Sequence, residues 1–337
     1  MEKIKSMVIG LGQSGFDLDL DPKRKIIWTH SKAINQHKNL DFCGAIDSDP
    51  SKGLYLKKKF KEKVLFSTNL EECLDKIKPE FISICSPTNT HLDLVKKLTK
   101  FKGIKYIFCE KPLGKSVKEA QAIISLCKKS KIILATNFMR RWDKKYLWIK
   151  EKVDSKSLGN LISINAYGTT AMYTSSSHLI DLILFYGGSV EKVSGYLQKD
   201  FVRKVHGEKD PGANAFIKFS NDVTCHLAAR SKTPSHYMFE IDLIFQEGRI
   251  VIKNDGKFLE FYTFKETNFS GTGYMGLSKK KINIKDNERM LDAITDIISC
   301  KYGESLPKSS GKNALDVHKL IRAINKSSLK NGNFYKI

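Results

Sequence analysis

Residues 7–30 read MVIGLGQSGFDLDLDPKRKIIWTH, and the fold turns on how this stretch is understood. The apolar run Ile4 to Ile9 enters Gly10-Leu11-Gly12-Gln13-Ser14-Gly15. That is the G-x-G-x-x-G spacing of a turn whose backbone N–H groups approach a dinucleotide pyrophosphate. A helix should open at Gly15. Instead come Asp17, Asp19 and Asp21, then Pro22 and a basic run, and the helical pattern begins only around Thr29. The aspartates briefly imitate a calcium loop. Its sixth position, however, is Pro22 where glycine is needed, and its twelfth is Trp28 where a bidentate glutamate belongs. The metal reading is rejected. The expectation is a genuine cofactor turn carrying an insertion, Phe16 to Trp28, that forms a solvated lid outside the core.

Outward from the glycines, strand and helix patterns alternate. Ile4 to Ile9, Leu40 to Ile46, Val64 to Phe66, Phe81 to Cys85, Tyr106 to Cys109 and Ile132 to Ala135 read as short apolar strands. Thr68-x-x-Glu71 and Ser116-x-x-Glu119 open helices between them in capping-box spacing. Nearly continuous apolar strands separated by helices predict a parallel sheet covered on both faces. Ligands of such sheets bind beyond the carboxyl ends of the strands. The glycine turn, Asp47, Ser86-Pro87-Thr88 and Glu110-Lys111-Pro112 all occupy such ends. Their agreement carries more weight than the glycines alone. Asp47 would accept hydrogen bonds from the adenosine ribose and repel a 2′-phosphate, which favours NAD over NADP. It also fits a plain turn aspartate in Asp47-Ser48-Asp49-Pro50.

Beyond residue 136 the pattern changes. Leu161 to Tyr167, Glu191 to Leu197, Ala213 to Phe219, Val223 to Ala229, Tyr237 to Phe245 and Arg249 to Lys253 read as strands. Asn221-Asp222 and Glu247-Gly248 serve as hairpin turns. Runs of strands after an alternating half imply a separate α+β domain. The expected organisation is therefore a dinucleotide-binding domain over 1–136 and a second domain over 137–337. Apolar residues on one face of the second sheet require a partner, which predicts a homodimer or homotetramer.

The chain has 337 residues and a formal charge of +22. Of its 58 basic residues 50 are lysine, spread along the chain, whereas readers of bases and phosphates favour the rigid fork of arginine. This argues against nucleic acid as a partner and leaves a general attraction for anionic small molecules. No apolar run approaches the ~18 residues of a membrane span, and Met1 to Ile9 lacks a cleavage site. The seven cysteines form no C-x-x-C pair and read as reduced core residues of a cytoplasmic protein.

At Cys109-Glu110-Lys111-Pro112 the chain resembles the Gfo/Idh/MocA oxidoreductases, the glucose–fructose oxidoreductase and inositol dehydrogenase group. The resemblance runs through GLGQSG (10–15), SPTNTH (86–91), EKPLGKS (110–116), NFMRRWDKKY (137–146), HLIDLILFYGG (178–188) and SGKNALDVHKLIRAINKS (310–327). It implies an α/β protein: an N-terminal Rossmann domain with a doubly wound parallel sheet, then a C-terminal α+β domain whose large open, mostly antiparallel sheet forms the oligomer interface. It also implies a small carbohydrate or polyol substrate and NAD as cofactor. The cofactor set carried over is Gly10, Gly12, Gln13, Ser14, Gly15 and Asp47 on one side. On the other it is Ser86, Pro87, Thr88, Asn89, His91, Glu110, Lys111, Asn137 and Arg140.

The same resemblance assigns Lys111 and His178 as the catalytic pair. Hydride leaves a carbinol carbon only as its hydroxyl proton is lost, so a base must stand within hydrogen-bond reach. Histidine suits that task, and lysine can stabilise a developing alkoxide. His178 and Asp181 are spaced to share a helix face, which makes Asp181 a substrate-hydroxyl acceptor or an orienter of the histidine. Arg141 and Thr174 complete the expected substrate set. Thr174 departs from the family, in which many dehydrogenases carry aspartate four residues before the histidine. A sugar or sugar-nucleotide dehydrogenase, or the corresponding ketoreductase, is the leading expectation. An NAD-dependent glycosidase, a catalytically decayed dinucleotide-binding relative and a basic nucleic-acid binder are the alternatives.

Overall fold

The computed structural model describes residues 2–205, 208–230, 237–266 and 275–337. These divide into two compact units, Met1–Trp142 with Asn287–Leu315, and Asp143–Asp286 with Asp316–Ile337.

The first unit alternates β1 (Ile4–Ile9), α1 (His30–Gln36), β2 (Leu40–Ile46), α2 (Lys52–Phe60), β3 (Leu65–Ser67), α3 (Leu70–Ile77), β4 (Phe81–Ile84), α4 (His91–Leu98), β5 (Tyr106–Cys109), α5 (Val117–Lys129) and β6 (Ile133–Thr136). Every strand pair is parallel, in the order β3-β2-β1-β4-β5-β6. This is the doubly wound dinucleotide-binding order, whose crevice opens where β1 meets β4. The apolar strands are continuous because both sheet faces are covered: Phe81, Ile82 and Ile84 of β4 have no exposed surface. Helix α5 is capped as its sequence predicts, with Ser116 Oγ accepting from the Glu119 N–H at 3.2 Å. Helix α3 starts one residue later than expected, since the cap is Asn69, which accepts from the Glu72 N–H at 3.1 Å.

The second unit contains α6 (Lys144–Ser155), β7 (Leu161–Gly168), α7 (Ser176–Gly187), β8 (Val190–Val205), β9 (Glu208–Phe219), β10 (Thr224–Ala229), β11 (Phe239–Phe245), β12 (Gly248–Lys253), β13 (Phe258–Glu266), β14 (Met275–Lys280) and β15 (Tyr335–Lys336). They form one nine-stranded sheet, β14-β13-β12-β11-β7-β10-β9-β8-β15. Only β7 and β10 pair in parallel among its described ladders. Strands β13 to β15 extend the sheet beyond the expected set. In β14 exposed and half-buried residues alternate without a buried stripe, so the apolar pattern that marks a core strand is missing.

The units are not contiguous halves of the chain. Helix α8 (Arg289–Ser299) belongs to the first, and α9 (Gly311–Ser328) begins in the first and continues in the second. Met290, Ala293, Ile294 and Ile297 of α8 recur at helical spacing and join Val8, Ile34 and Phe42 in one buried cluster. That cover for the parallel sheet accounts for the return of 287–315. Residues 137–142, expected in the second domain, stay with the first: the Asn137 N–H donates to Cys109 O at 2.8 Å, and Trp142 Nε1 donates to Asp296 at 2.9 Å.

The segment after the glycines departs most from expectation. The Phe16 N–H donates to Gly12 O at 2.8 Å and Leu18 N–H to Gln13 O at 3.0 Å, which makes a first turn. The chain then leaves, and helix resumes with the His30 and Ser31 N–H groups donating to Ser14 O and Gly15 O at 3.0 and 3.1 Å. The insertion is thus spliced into the opening of the helix, whose two parts rejoin across it. It is not a solvated lid. Phe16 and Ile27 are buried at its two ends, and Phe16 packs edge-on against Phe60 at 6.2 Å. Asp19 accepts from the Trp28 N–H, the Thr29 N–H and Thr29 Oγ1 at 3.1, 2.8 and 2.7 Å. Exposure is confined to the tip, at Leu20 to Lys23 and Lys25.

Candidate cofactor and substrate site

Two of the three glycines are demanded by the protein itself. Gly10 has φ +93°, and a Cβ there would lie 2.6 Å from the Ser86 nitrogen. At the crevice the ends of β1 and β4 therefore touch backbone to backbone. A Cβ on Gly15 would lie 2.0 Å from Gly10 O. Gly12 differs, because nothing lies within 4 Å of its missing Cβ. Such open space at the turn is what a pyrophosphate approaching a helix N-terminus requires. Gln13 and Ser14 lie in the same turn.

Asp47, at the end of β2, does two things. Its Oδ2 accepts from the Leu11 N–H at 2.7 Å, and its Oδ1 accepts from the Asp49 N–H at 2.9 Å. The second bond is that of a plain turn aspartate, and the first fixes the glycine turn. Asp47 nonetheless remains half-buried on the wall of a cavity of about 710 Å³. The other walls are Gly10, Ser48, Asn69, Ser86, Pro87, Asn89 and residues of α4. Thr88 begins the single 3-10 turn, Thr88–Thr90, that leads into α4. The glycines, Asp47 and the Ser86–Asn89 turn are brought together as expected.

Beyond β5 and β6 lies a buried polar network. Glu110 Oε1 accepts from Asn137 Nδ2 at 2.7 Å and stands 3.1 Å from His30 Nε2. Glu110 Oε2 accepts from the Lys111 N–H at 3.1 Å. His30 Nδ1 is 2.9 Å from Ser83 Oγ, and its ring lies 4.6 Å from that of Phe108. Burial pushes the Glu110 carboxyl up, but the His30 bond and charge, Asn137 and the Lys111 charge more than reverse this and leave it below its ordinary value. Glu110, carried over as a cofactor residue, is held by these protein groups with its side chain 13% exposed. Asn137 is buried, and its Oδ1 has no hydrogen-bond partner among the described residues. That orphan acceptor, the open space at Gly12 and the cavity beside Asp47 all fit a dinucleotide. Sequence reasoning missed His30 and Ser83. No spacing marks them, and only the resumption of α1 across the insertion brings His30 under Glu110.

Three further residues of the carried-over set are buried. His91 has no exposed surface. Its Nε2 is 2.9 Å from Ser86 O and its Nδ1 3.3 Å from Leu113 O, so it braces the SPTNT turn against the EKP segment. Burial holds its pKa below the ordinary value. Arg140 and Arg141, carried over as cofactor and substrate residues, are buried, 5% and 6% exposed. Arg141 Nη1 donates to Lys308 O at 3.3 Å, a bond inside the first unit.

In the second unit His178 and Asp181 lie on α7, 8% and 1% exposed. Thr174 Oγ1 donates to Ala171 O at 2.9 Å, and Thr174 O accepts from Ser177 Oγ at 2.6 Å. Thr174 closes the turn that starts α7. Lys111 belongs to the first unit and His178, Asp181 and Thr174 to the second.

With this geometry in place, comparison with known proteins defines the class. Residues 25–138 match the oxidoreductase family model with the NAD-binding Rossmann fold, and residues 164–251 match the GFO/IDH/MocA C-terminal domain. The chain belongs to the Gfo/Idh/MocA oxidoreductase family. It is 27% identical over 189 residues to the scyllo-inositol 2-dehydrogenase (NAD(+)) of Bacillus subtilis, covering 51% of this chain and 54% of that protein. The myo-inositol 2-dehydrogenase of Thermotoga maritima is 40% identical over 78 residues, 23% of each chain. The chain thus spans about half, or less, of these curated relatives. The fold is shared with the WlbA dehydrogenase of Bordetella pertussis, solved with NADH and UDP-GlcNAcA, at TM-score 0.78 and 16% identity over 100% of this chain and 99% of that one.

Proposed function

We propose that this chain is an NAD-dependent dehydrogenase or ketoreductase acting on a carbinol or keto carbon of a sugar, sugar nucleotide or cyclic polyol. The observation that carries the reading is the crevice of the first unit, where Gly10, Asp47 and the Ser86–Asn89 turn wall one cavity of about 710 Å³. Gly12 to Gly15 would hold the pyrophosphate through the N–H groups a helix start leaves without internal partners. Asp47 would meet the adenosine ribose and disfavour NADP. When bound, the nicotinamide supplies a hydride acceptor and donor. His178 takes or returns the hydroxyl proton, Lys111 steadies the developing alkoxide, and Asp181, the more deeply buried of the two α7 groups, orients His178. The inositol dehydrogenase relatives support a polyhydroxylated substrate. The lysine-rich charge supports an anionic one and gives no reason to invoke nucleic acid. All seven cysteines are free and no described helix is long and apolar enough to cross a membrane, which supports a cytoplasmic protein. A second copy covering the nine-stranded sheet completes the reading.

A screen of sugars, inositols and sugar nucleotides, followed by NADH absorbance, tests it. With the substrate so found, Lys111→Met and His178→Ala should each lower turnover by ~10²–10⁴-fold, while NADH affinity changes little. Near-normal turnover in Lys111→Met would overturn the chemistry, and tighter binding of NADPH than NADH would overturn the cofactor choice.

A further inference from the structure

We infer that Glu71 and Lys97 read the base of the cofactor and select a purine that carries a 6-amino group. The inference rests on the reading of the first unit as an NAD(H) site. The cavity of about 710 Å³ is lined from the ends of β1 and β2 to α3 and α4. Besides Gly10 and Asp47, its walls include Leu70 and Glu71 of α3 and Leu94 and Lys97 of α4. Pyrophosphate belongs at the glycine turn and ribose at Asp47. The walls that α3 and α4 contribute then remain for the base. Leu70 is buried and Leu94 half-buried, which gives a planar ring an apolar surface to lie on.

Glu71 Oε1 and Lys97 Nζ stand 3.1 Å apart and join the two helices. The other carboxylates on the walls are engaged elsewhere. Asp47 accepts from the Leu11 and Asp49 N–H groups, and Asp93 accepts from Lys96 Nζ at 2.9 Å. The hydrogen bond to Lys97 holds the Glu71 carboxyl below its ordinary value, so it is an ionised acceptor at neutral pH. The edge of adenine farthest from its ribose bond carries the 6-amino donor beside N1, an acceptor. A carboxylate on one helix and an ammonium on the next match that edge: Glu71 accepts from the amine, and Lys97 donates to N1. Hypoxanthine exchanges the two, with a carbonyl at position 6 and a proton on N1. In the same pose its carbonyl meets the Glu71 carboxylate, which has no proton to give, and its N1–H meets the Lys97 ammonium, which has no lone pair to offer.

The experiment compares dissociation constants for NAD⁺ and for nicotinamide hypoxanthine dinucleotide, measured by calorimetry at neutral pH. The two ligands share both riboses, the pyrophosphate and the nicotinamide, so their ratio isolates the base. NAD⁺ should bind about tenfold more tightly, the low end for a hydrogen bond to a charged group. Glu71→Ala and Lys97→Met should each bring the ratio toward one, chiefly by weakening NAD⁺. Both side chains are about half exposed, at 52% and 53%, so these replacements leave the buried core as it is. Asp47→Ser is the control: it should weaken both ligands and keep their ratio, because the ribose is common to them. Equal affinities in the unaltered protein, or a ratio that survives in Glu71→Ala, overturn the inference and reduce the pair to a surface ion pair, with the cofactor site intact. If neither dinucleotide binds, the cofactor reading itself falls, and this inference with it.

Discussion

Asp19 has a side chain only 4% exposed and holds the start of α1 in place. Its carboxylate answers two backbone N–H groups and the Thr29 hydroxyl, with Lys32 Nζ at 3.6 Å. Removing it leaves these donors without their acceptor in a part-buried place, and such a loss costs ~1–3 kcal/mol per unsatisfied group. Asp19→Ala should therefore lower the stability of the protein by about 1–3 kcal/mol in urea unfolding, and Asp19→Asn, which keeps an acceptor, by less. In the sequence this residue reads as one of three solvent-facing aspartates. What makes it structural is a bond to residues 28 and 29 across the insertion, a contact no local periodicity encodes. Glu110 and His91 mislead for a related reason. Their residue types point to binding, while their depth and partners decide what they bind.

The element that most distinguishes this chain is the spliced opening of α1. A helix normally propagates from its first turn because each added residue gains one bond. Here the carbonyls of Ser14 and Gly15 are answered instead by His30 and Ser31. The intervening segment divides into an anchored part and an exposed tip. Asp17 pairs with Lys52 at 2.9 Å, and Phe16 and Ile27 are buried, whereas Asp21 to Lys23 are exposed. Replacing 21–25 with glycine and serine of equal length should leave stability within about 1 kcal/mol, as for most surface changes. The same replacement over 17–20 should cost more, because it removes Asp19. Thermal unfolding of the two variants side by side measures the contrast, and equal losses would contradict the anchored geometry.

At the scale of the whole molecule, the exposed face of the nine-stranded sheet is where we propose that a second copy docks. Tyr167, Ala228, Asn214 and Tyr196 form one cross-strand row over β7, β10, β9 and β8, and Asn165, His226, Phe216 and Ser194 form the next. Tyr167 and Tyr196 are 42% and 58% exposed, and the rows line a shallow cavity of about 340 Å³. Aromatic side chains with polar neighbours suit the core of a protein interface. Light scattering should give a multiple of the 38.3 kDa chain mass, and Tyr196→Asp should shift it toward the monomer. A monomer mass at micromolar concentration in the unaltered protein would remove this surface from the account.

By itself the sequence determined the elements whose signal is local. The six apolar strands and the cap of α5 follow from periodicity and a short polar spacing, and the glycine turn, Asp47 and the EKP segment follow from their position at strand ends. Those features depend only on neighbours along the chain, which is why residue order alone makes them legible. Tertiary structure alone decided the rest. It returned α8 to the parallel sheet, since an amphipathic helix carries no mark of which apolar face it will cover. It buried the ends of the insertion and rejoined α1 across it. It also placed His30 on Glu110, because the partner of a buried polar group is chosen by packing between segments far apart in the chain.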